Sequence, residues 1–295
     1  MIMEWIYFTL VAVFLWSICN IIDKHVVAKY IKKPMTVMIF LSFFGLLSAL
    51  VVSIFQNVTI PPFDLLILSL ASGIAYFLFI FLYIKSLMIE EVSRVVSLYA
   101  ITPIFVLILS TIFLNEIFTW EKYVGIFLIV VGSILISIKK DVKIKLSGAL
   151  LLMVIAAIFG AVYYVLQKIV LKSLTYWNTF FWVRIGSFLL APLLLFVYHK
   201  PLIKTLKKSP IVGVYLSAVE ILNVIGVYLI VIAYSVGYAA LVSAFSEVQS
   251  LVVFFMATVL SIFNPKIIKE ELKGSTLLLK FISIIMIILG AILIT

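Results

Sequence analysis

Ten apolar runs of about the length of a membrane span follow one another along this chain: residues 4–22, 35–55, 65–87, 95–114, 121–138, 147–168, 178–198, 211–235, 239–263 and 275–294. A helix needs about 20 apolar residues to cross the hydrocarbon of a bilayer. The spacing therefore predicts ten transmembrane helices and leaves little chain for anything else. The composition agrees: 66% of the 295 residues are hydrophobic and 12% are charged, against roughly 25% charged residues in soluble domains. The expected fold class is an all-α integral membrane protein. Six prolines (Pro34, Pro61, Pro62, Pro201, Pro210 and Pro265) fall between runs, as helix boundaries require. Pro103 and Pro192 fall inside runs four and seven, where they predict kinks.

The basic residues are distributed unevenly between the connections. Alternate connections, beginning with that between runs one and two, carry 17 lysines and arginines, and the others carry 3. Positive charge stays on the cytoplasmic side of short loops, which puts both termini outside the cell in a multi-pass protein of the cell membrane. The net charge of +10 is thus explained by topology and a lipid bilayer, with no nucleic-acid partner. "MIMEWIYFTL" has neither the basic start nor the cleavage site of a removable signal. Cys19 is alone, so no disulfide framework exists. His25 and His199 stand in loops beside lysines and suggest no zinc site, and no phosphate loop, dinucleotide fingerprint or nucleophile elbow occurs. No metal, cofactor or catalysis is expected; the chain is expected to act as a monomer or homodimer.

Internal matches suggest a duplication. "DKHVV" (23–27) resembles "QKIVL" (167–171), "YI" (83–84) aligns with "YL" (228–229), "VVSLY" (95–99) with "LVSAF" (241–245), and "GSILI" (132–136) with "GAILI" (290–294). The order is kept, and the longer final offset is absorbed by the insertion around "FNPKIIKEELKG". Two five-helix repeats follow, 1–140 and 146–295. With an odd number of spans per copy, the second copy must enter the membrane from the opposite face, which gives an inverted-topology repeat with a site near the midplane between the halves.

The stretch "YIKSLMIEEVSRVVSLYAITPIFVLILSTIFLNEIFTWEKYVGIFLIVVGSILI" (83–136) resembles the EamA family of the drug/metabolite transporter superfamily. The resembling pieces are a polar turn before "VVSLYAITPIF", "FLNE" with its acid at the membrane edge, and "YVGIFLIVVG". "WSICNIIDK" similarly resembles the family's first helix, closing on a lysine, while in the second half Gln249 aligns with Pro103. The resemblance implies ten helices in two inverted halves and secondary active transport of a small organic metabolite, such as an amino acid, often outward. Members often read as having cytoplasmic termini; the lysines here favour the reverse. The alternatives are a carrier for lipophilic cations or lipid-linked intermediates, or, in a different class, a non-transporting membrane scaffold.

Ionisable groups at the centre of a membrane helix cost about 2.5–3.5 kcal/mol on insertion scales, so those inside the runs are the candidate site. Glu220 and Asn223 form a stripe with Ser217 in run eight, and Glu247 one with Ser243 and Ser250 in run nine. Both acids lie about 14 Å deep at ~1.5 Å per residue, near the middle of a core about 30 Å thick. Arg184 is shallower, behind the aromatics Trp177, Phe180, Phe181 and Trp182, which suit an interfacial belt. It suits either a clasp with one of the glutamates or an anionic substrate group. Lys280 suits snorkelling. Trp16, Asn20 and Asp23 share a face of run one, and Tyr163, Tyr164 and Gln167 a face of run six. Glu116 and Glu121 suit helix termini. A carboxyl at Glu220, facing Glu247 across the cavity, can take up and release a proton as the cavity opens to either side and so couple transport to the proton gradient. Acids without internal bases would favour a cationic substrate; an Arg184 open to the cavity would favour a carboxylate.

Overall fold

In the computed structural model, which describes residues 4–30, 34–90, 95–96, 98–136, 148–263 and 274–295, every apolar run is helical. The described residues are 88% helix, with no strand among them. In chain order the helices are α1 (Glu4–Lys29), α2 (Pro34–Phe55), α3 (Phe63–Leu87), a 3-10 turn (Tyr99–Ile101) leading into α4 (Thr102–Leu114), and α5 (Trp120–Leu135). Then follow α6 (Gly148–Leu171), α7 (Tyr176–Phe188), α8 (Ala191–Lys208), α9 (Ile211–Val236), α10 (Ala239–Ser246), α11 (Gln249–Phe263) and α12 (Gly274–Ile294).

Six spans are long and apolar enough to cross a membrane: those of α1, α2, α3, α6 and α9, and the stretch Ala239–Phe263 formed by α10 and α11. A seventh is added if α7 and α8, bent by 51°, count as one. The runs that fall short are Tyr99–Leu114 and Leu278–Ile294, with α5 at 16 residues. Sixteen residues at ~1.5 Å each reach about 24 Å, less than a hydrocarbon core of about 30 Å.

Both prolines inside runs start helices, and the bend of 51° between α7 and α8 falls at Pro192. Pro103 and Pro192 are the second residues of α4 and α8, where the missing N–H has no partner to lose. Pro201, expected between helices, lies inside α8.

The largest helix interfaces are α3 with α6, α5 with α12, and α1 with α9. Glycines set the closest approaches. A Cβ on Gly73 of α3 would stand 2.1 Å from the carbonyl of Val183 in α7, and one on Gly186 would stand 2.4 Å from that of Leu70. Only backbones without side chains can pack at that distance. Helices α5 and α12 cross antiparallel: a Cβ on Gly125 would lie 2.9 Å from the carbonyl of Gly290, and one on Gly132 3.0 Å from that of Ser283.

Polar side chains fix the helix ends. Lys24 donates to the carbonyls of Leu87 (3.0 Å) and Glu90 (2.6 Å) at the end of α3. Lys168 does the same to Tyr234 (2.7 Å) and Gly237 (2.8 Å) at the end of α9. Each ammonium meets the negative end of a helix dipole and satisfies carbonyls with no partner in their own helix. Glu116, expected at a helix terminus, accepts from Ala239 N (2.8 Å) and Ala240 N (3.1 Å) and so caps α10. Its own helix, α4, closes on Asn115 with φ 56°, the left-handed end that asparagine tolerates.

Candidate functional site

A cavity of ≈ 80 Å³ lies between the helices, room for several waters at about 10–15 Å³ each. Three elements supply its charge. On α1, Trp16, Asn20 and Asp23 recur at helical spacing and face inward. On α9, Glu220 and Asn223 do the same. The third is Glu247, at the break between α10 and α11, where its backbone N–H bonds Ala244 O (3.1 Å) in a tight turn that ends α10. The opposite lining is aromatic: Tyr76, Phe79 and Tyr83 from α3, Tyr99 from the 3-10 turn, and Tyr163 and Tyr164 from α6.

Buried hydrogen bonds hold these groups. Asn223 Nδ2 donates to Glu220 Oε2 and to the Tyr76 hydroxyl oxygen, both at 3.2 Å. Tyr83 donates its hydroxyl to Asn20 Oδ1 at 2.8 Å. Trp16 Nε1, Asn20 Nδ2 and Thr102 Oγ1 are buried with no hydrogen-bond partner among the described residues, and all three residues line the cavity. Two of these atoms, both on α1, are pure donors. The indole of Trp16 fits because α9 has Gly226 opposite: a Cβ there would lie 2.6 Å from Nε1.

The lining, over its described residues, holds three carboxyls and no lysine or arginine. Of the residues expected here, Trp16, Asn20, Tyr163, Glu220, Asn223 and Glu247 line the cavity. Gln167 does not; it is buried and its Nε2 donates to the Tyr163 hydroxyl at 3.4 Å. Arg184 is also outside the lining and 1% exposed. Its guanidinium carbon sits 5.3 Å from the ring centre of Tyr76 and 5.4 Å from that of Phe180. The expected clasp with a glutamate is absent among the described residues; the guanidinium rests instead on the Tyr76 ring.

Three other expectations are corrected. Ser250 leaves the stripe of Glu247 because the helix breaks there; its hydroxyl turns to Glu247 O (2.8 Å) and Ser133 Oγ (3.0 Å). The aromatics ahead of Arg184 form no uniform belt: Phe180 is buried, Trp177 stacks on Tyr228 at 4.7 Å, and Trp182 Nε1 donates to Thr59 O. Lys280 does not snorkel; it is buried, with Nζ 4.3 Å from the ring centre of Phe254, a cation–π contact that gives it a partner where it stands.

Sequence reasoning passed over the α3 aromatics, although Tyr76, Phe79 and Tyr83 share one helix face. It also ranked Asp23 below Glu247, yet Asp23 is the carboxyl within electrostatic reach of Glu220.

No curated protein matches the chain. A solved structure described only as "Crystal structure of protein" superposes with a TM-score of 0.72 at 12% identity, over 99% of this chain and 96% of its own. Identity that low speaks to the fold alone. The profile of the EamA-like transporter family, within the drug/metabolite transporter superfamily, matches residues 3–138, so the first half of the chain is similar to that family.

Proposed function

We propose that the protein is a secondary transporter that carries a small organic metabolite across the cell membrane by alternating access around the central cavity, and that its cargo is positively charged. One observation carries the reading: three buried carboxyls and a ring of tyrosines face a cavity with no lysine or arginine in its described lining. Buried carboxylates need a partner, and an organic cation meets both a carboxylate and an aromatic face. In the conformation seen here a free carboxylate on the cargo would find no cation in the described lining, since Arg184 rests on Tyr76 outside it. An amine is therefore favoured over an amino acid.

The mechanism rests on ten spans in two inverted halves, the short helices α4, α5 and α12 included. Three observations support it. Exchanging the halves maps the α1–α9 interface onto α6–α3 and leaves α5–α12 paired with itself. Lys24 on the end of α3 corresponds to Lys168 on the end of α9. Finally, Gly125 and Ser283 each lie seven residues before the matched glycines Gly132 and Gly290, so the two contacts between α5 and α12 exchange with each other. Their antiparallel crossing is what an odd number of spans per half demands.

Glu220 would bind cargo and proton in turn, so cargo leaving the cell exchanges for protons entering it. The lysine distribution sets the termini outside. Purified protein in liposomes, given an imposed proton gradient and a panel of amines, amino acids and carboxylates, tests the whole reading. Amines should move against the gradient; carriage of carboxylates alone, or of nothing in the panel, would overturn it.

A further inference from the structure

Arg184 is the least explained side chain in the molecule. It lies inside the bundle, is 1% exposed, and its Nε and Nη2 have no hydrogen-bond partner among the described residues. A charge inside a membrane is costly and is ordinarily paired. The contacts with Tyr76 and Phe180 compensate only in part, since a desolvated cation–π contact is worth about 2 kcal/mol. The nearest route to an acid runs through one side chain pair. Tyr76, on which the guanidinium rests, shares a hydrogen bond with Asn223, and Asn223 holds Glu220. Gly45 of α2 lies beside the arginine stem: a Cβ there would stand 3.3 Å from Ser187 Oγ and in ordinary contact, 3.8 Å, with Arg184 Cδ.

We propose that Arg184 is the built-in counter-cation of Glu220. It rests on Tyr76 and Phe180 in the conformation seen here and moves past Tyr76 onto Glu220 when the cavity gives up its cationic cargo. Cargo and guanidinium then compete for one carboxylate. The competition covers Glu220 between the departure of the cargo and the arrival of a proton, and it drives the cargo off. The inference rests on the cationic-cargo reading, but its test has an arm independent of it.

Two measurements on purified Arg184→Gln, Arg184→Lys and wild type decide the matter. The first is equilibrium binding of tetramethylammonium. Without its competitor, Arg184→Gln should bind about tenfold more tightly, ~1.4 kcal/mol; Arg184→Lys should stay near wild type, and the gain should vanish in a Glu220→Gln background. The second is labelling of Glu220 by a hydrophobic carbodiimide, which takes the neutral carboxyl and not a carboxylate paired with a guanidinium. Labelling should rise severalfold in Arg184→Gln and return toward wild type in Arg184→Lys. Rising labelling with no tetramethylammonium binding in any form would uphold the counter-cation and reject the cationic cargo. Unchanged labelling, or a gain in affinity that persists in the Glu220→Gln background, would overturn the proposal. A merely structural arginine would lower the yield of folded protein and move neither readout.

Discussion

The cavity has an acidic wall and an aromatic wall. One wall, from α1, α9 and the α10–α11 break, holds Asp23, Glu220 and Glu247; the other, from α6, α3 and the 3-10 turn before α4, holds tyrosines at five places. Under the proposed duplication these elements exchange. Asp23 corresponds to Gln167, Asn20 to Tyr164 and Trp16 to Gly160, the residues offset by the same distance as "DKHVV" from "QKIVL". What the halves share is backbone: close glycine crossings and lysines on helix ends. In this reading packing kept the shared geometry, while the lining side chains diverged into an acidic face and an aromatic face. A cation between them is held by charge on one side and by ring electrons on the other.

The largest effect is expected on the acidic wall. Glu220→Gln keeps shape and the bond to Asn223 but removes the charge. A charge-assisted contact is worth about 1.5–3 kcal/mol, so binding of an organic cation should fall about 10- to 150-fold with the folded yield little changed. Unaltered binding would shift the functional acid to Glu247 or Asp23.

Next come the shared features. Lys24→Met and Lys168→Met each remove a charged donor from two helix-end carbonyls. Each should lower the stability of the purified protein by about 1–3 kcal/mol, and by similar amounts. A loss confined to one of them would break the equivalence of the halves. Smallest is the aromatic wall: Tyr76→Leu should weaken cation binding about two- to thirtyfold, for a contact of ~0.5–2 kcal/mol. Tyr76→Phe, which keeps the ring, should cost less. Equal losses would mean that the hydroxyl bonded to Asn223, and not the ring, is what the site needs.

The same contrast separates what was legible in the sequence from what was not. The helices were legible because nearly every apolar run is bounded by charge or by proline, Gly237 alone marking the boundary of runs eight and nine. Glu220, Asn223 and Glu247 were legible because a lone polar residue in such a run has a cost that asks for a reason. The aromatic wall was not, since Tyr76 and Tyr83 sit among phenylalanines and leucines of α3 and a membrane helix uses tyrosine freely. The place of Arg184 was illegible too. Whether it reaches a glutamate depends on the Tyr76 ring, which comes from a helix more than a hundred residues away. The break at Glu247 has no proline to announce it.

The central claim is that the cavity selects positive charge. Calorimetric binding of choline against its uncharged isostere 3,3-dimethylbutan-1-ol tests it most directly, because the two have the same shape and differ only in charge. The account predicts that choline binds at least about tenfold more tightly and that Glu220→Gln brings the two together. Equal affinity for both in the wild type, or tighter binding of the neutral alcohol, would contradict it.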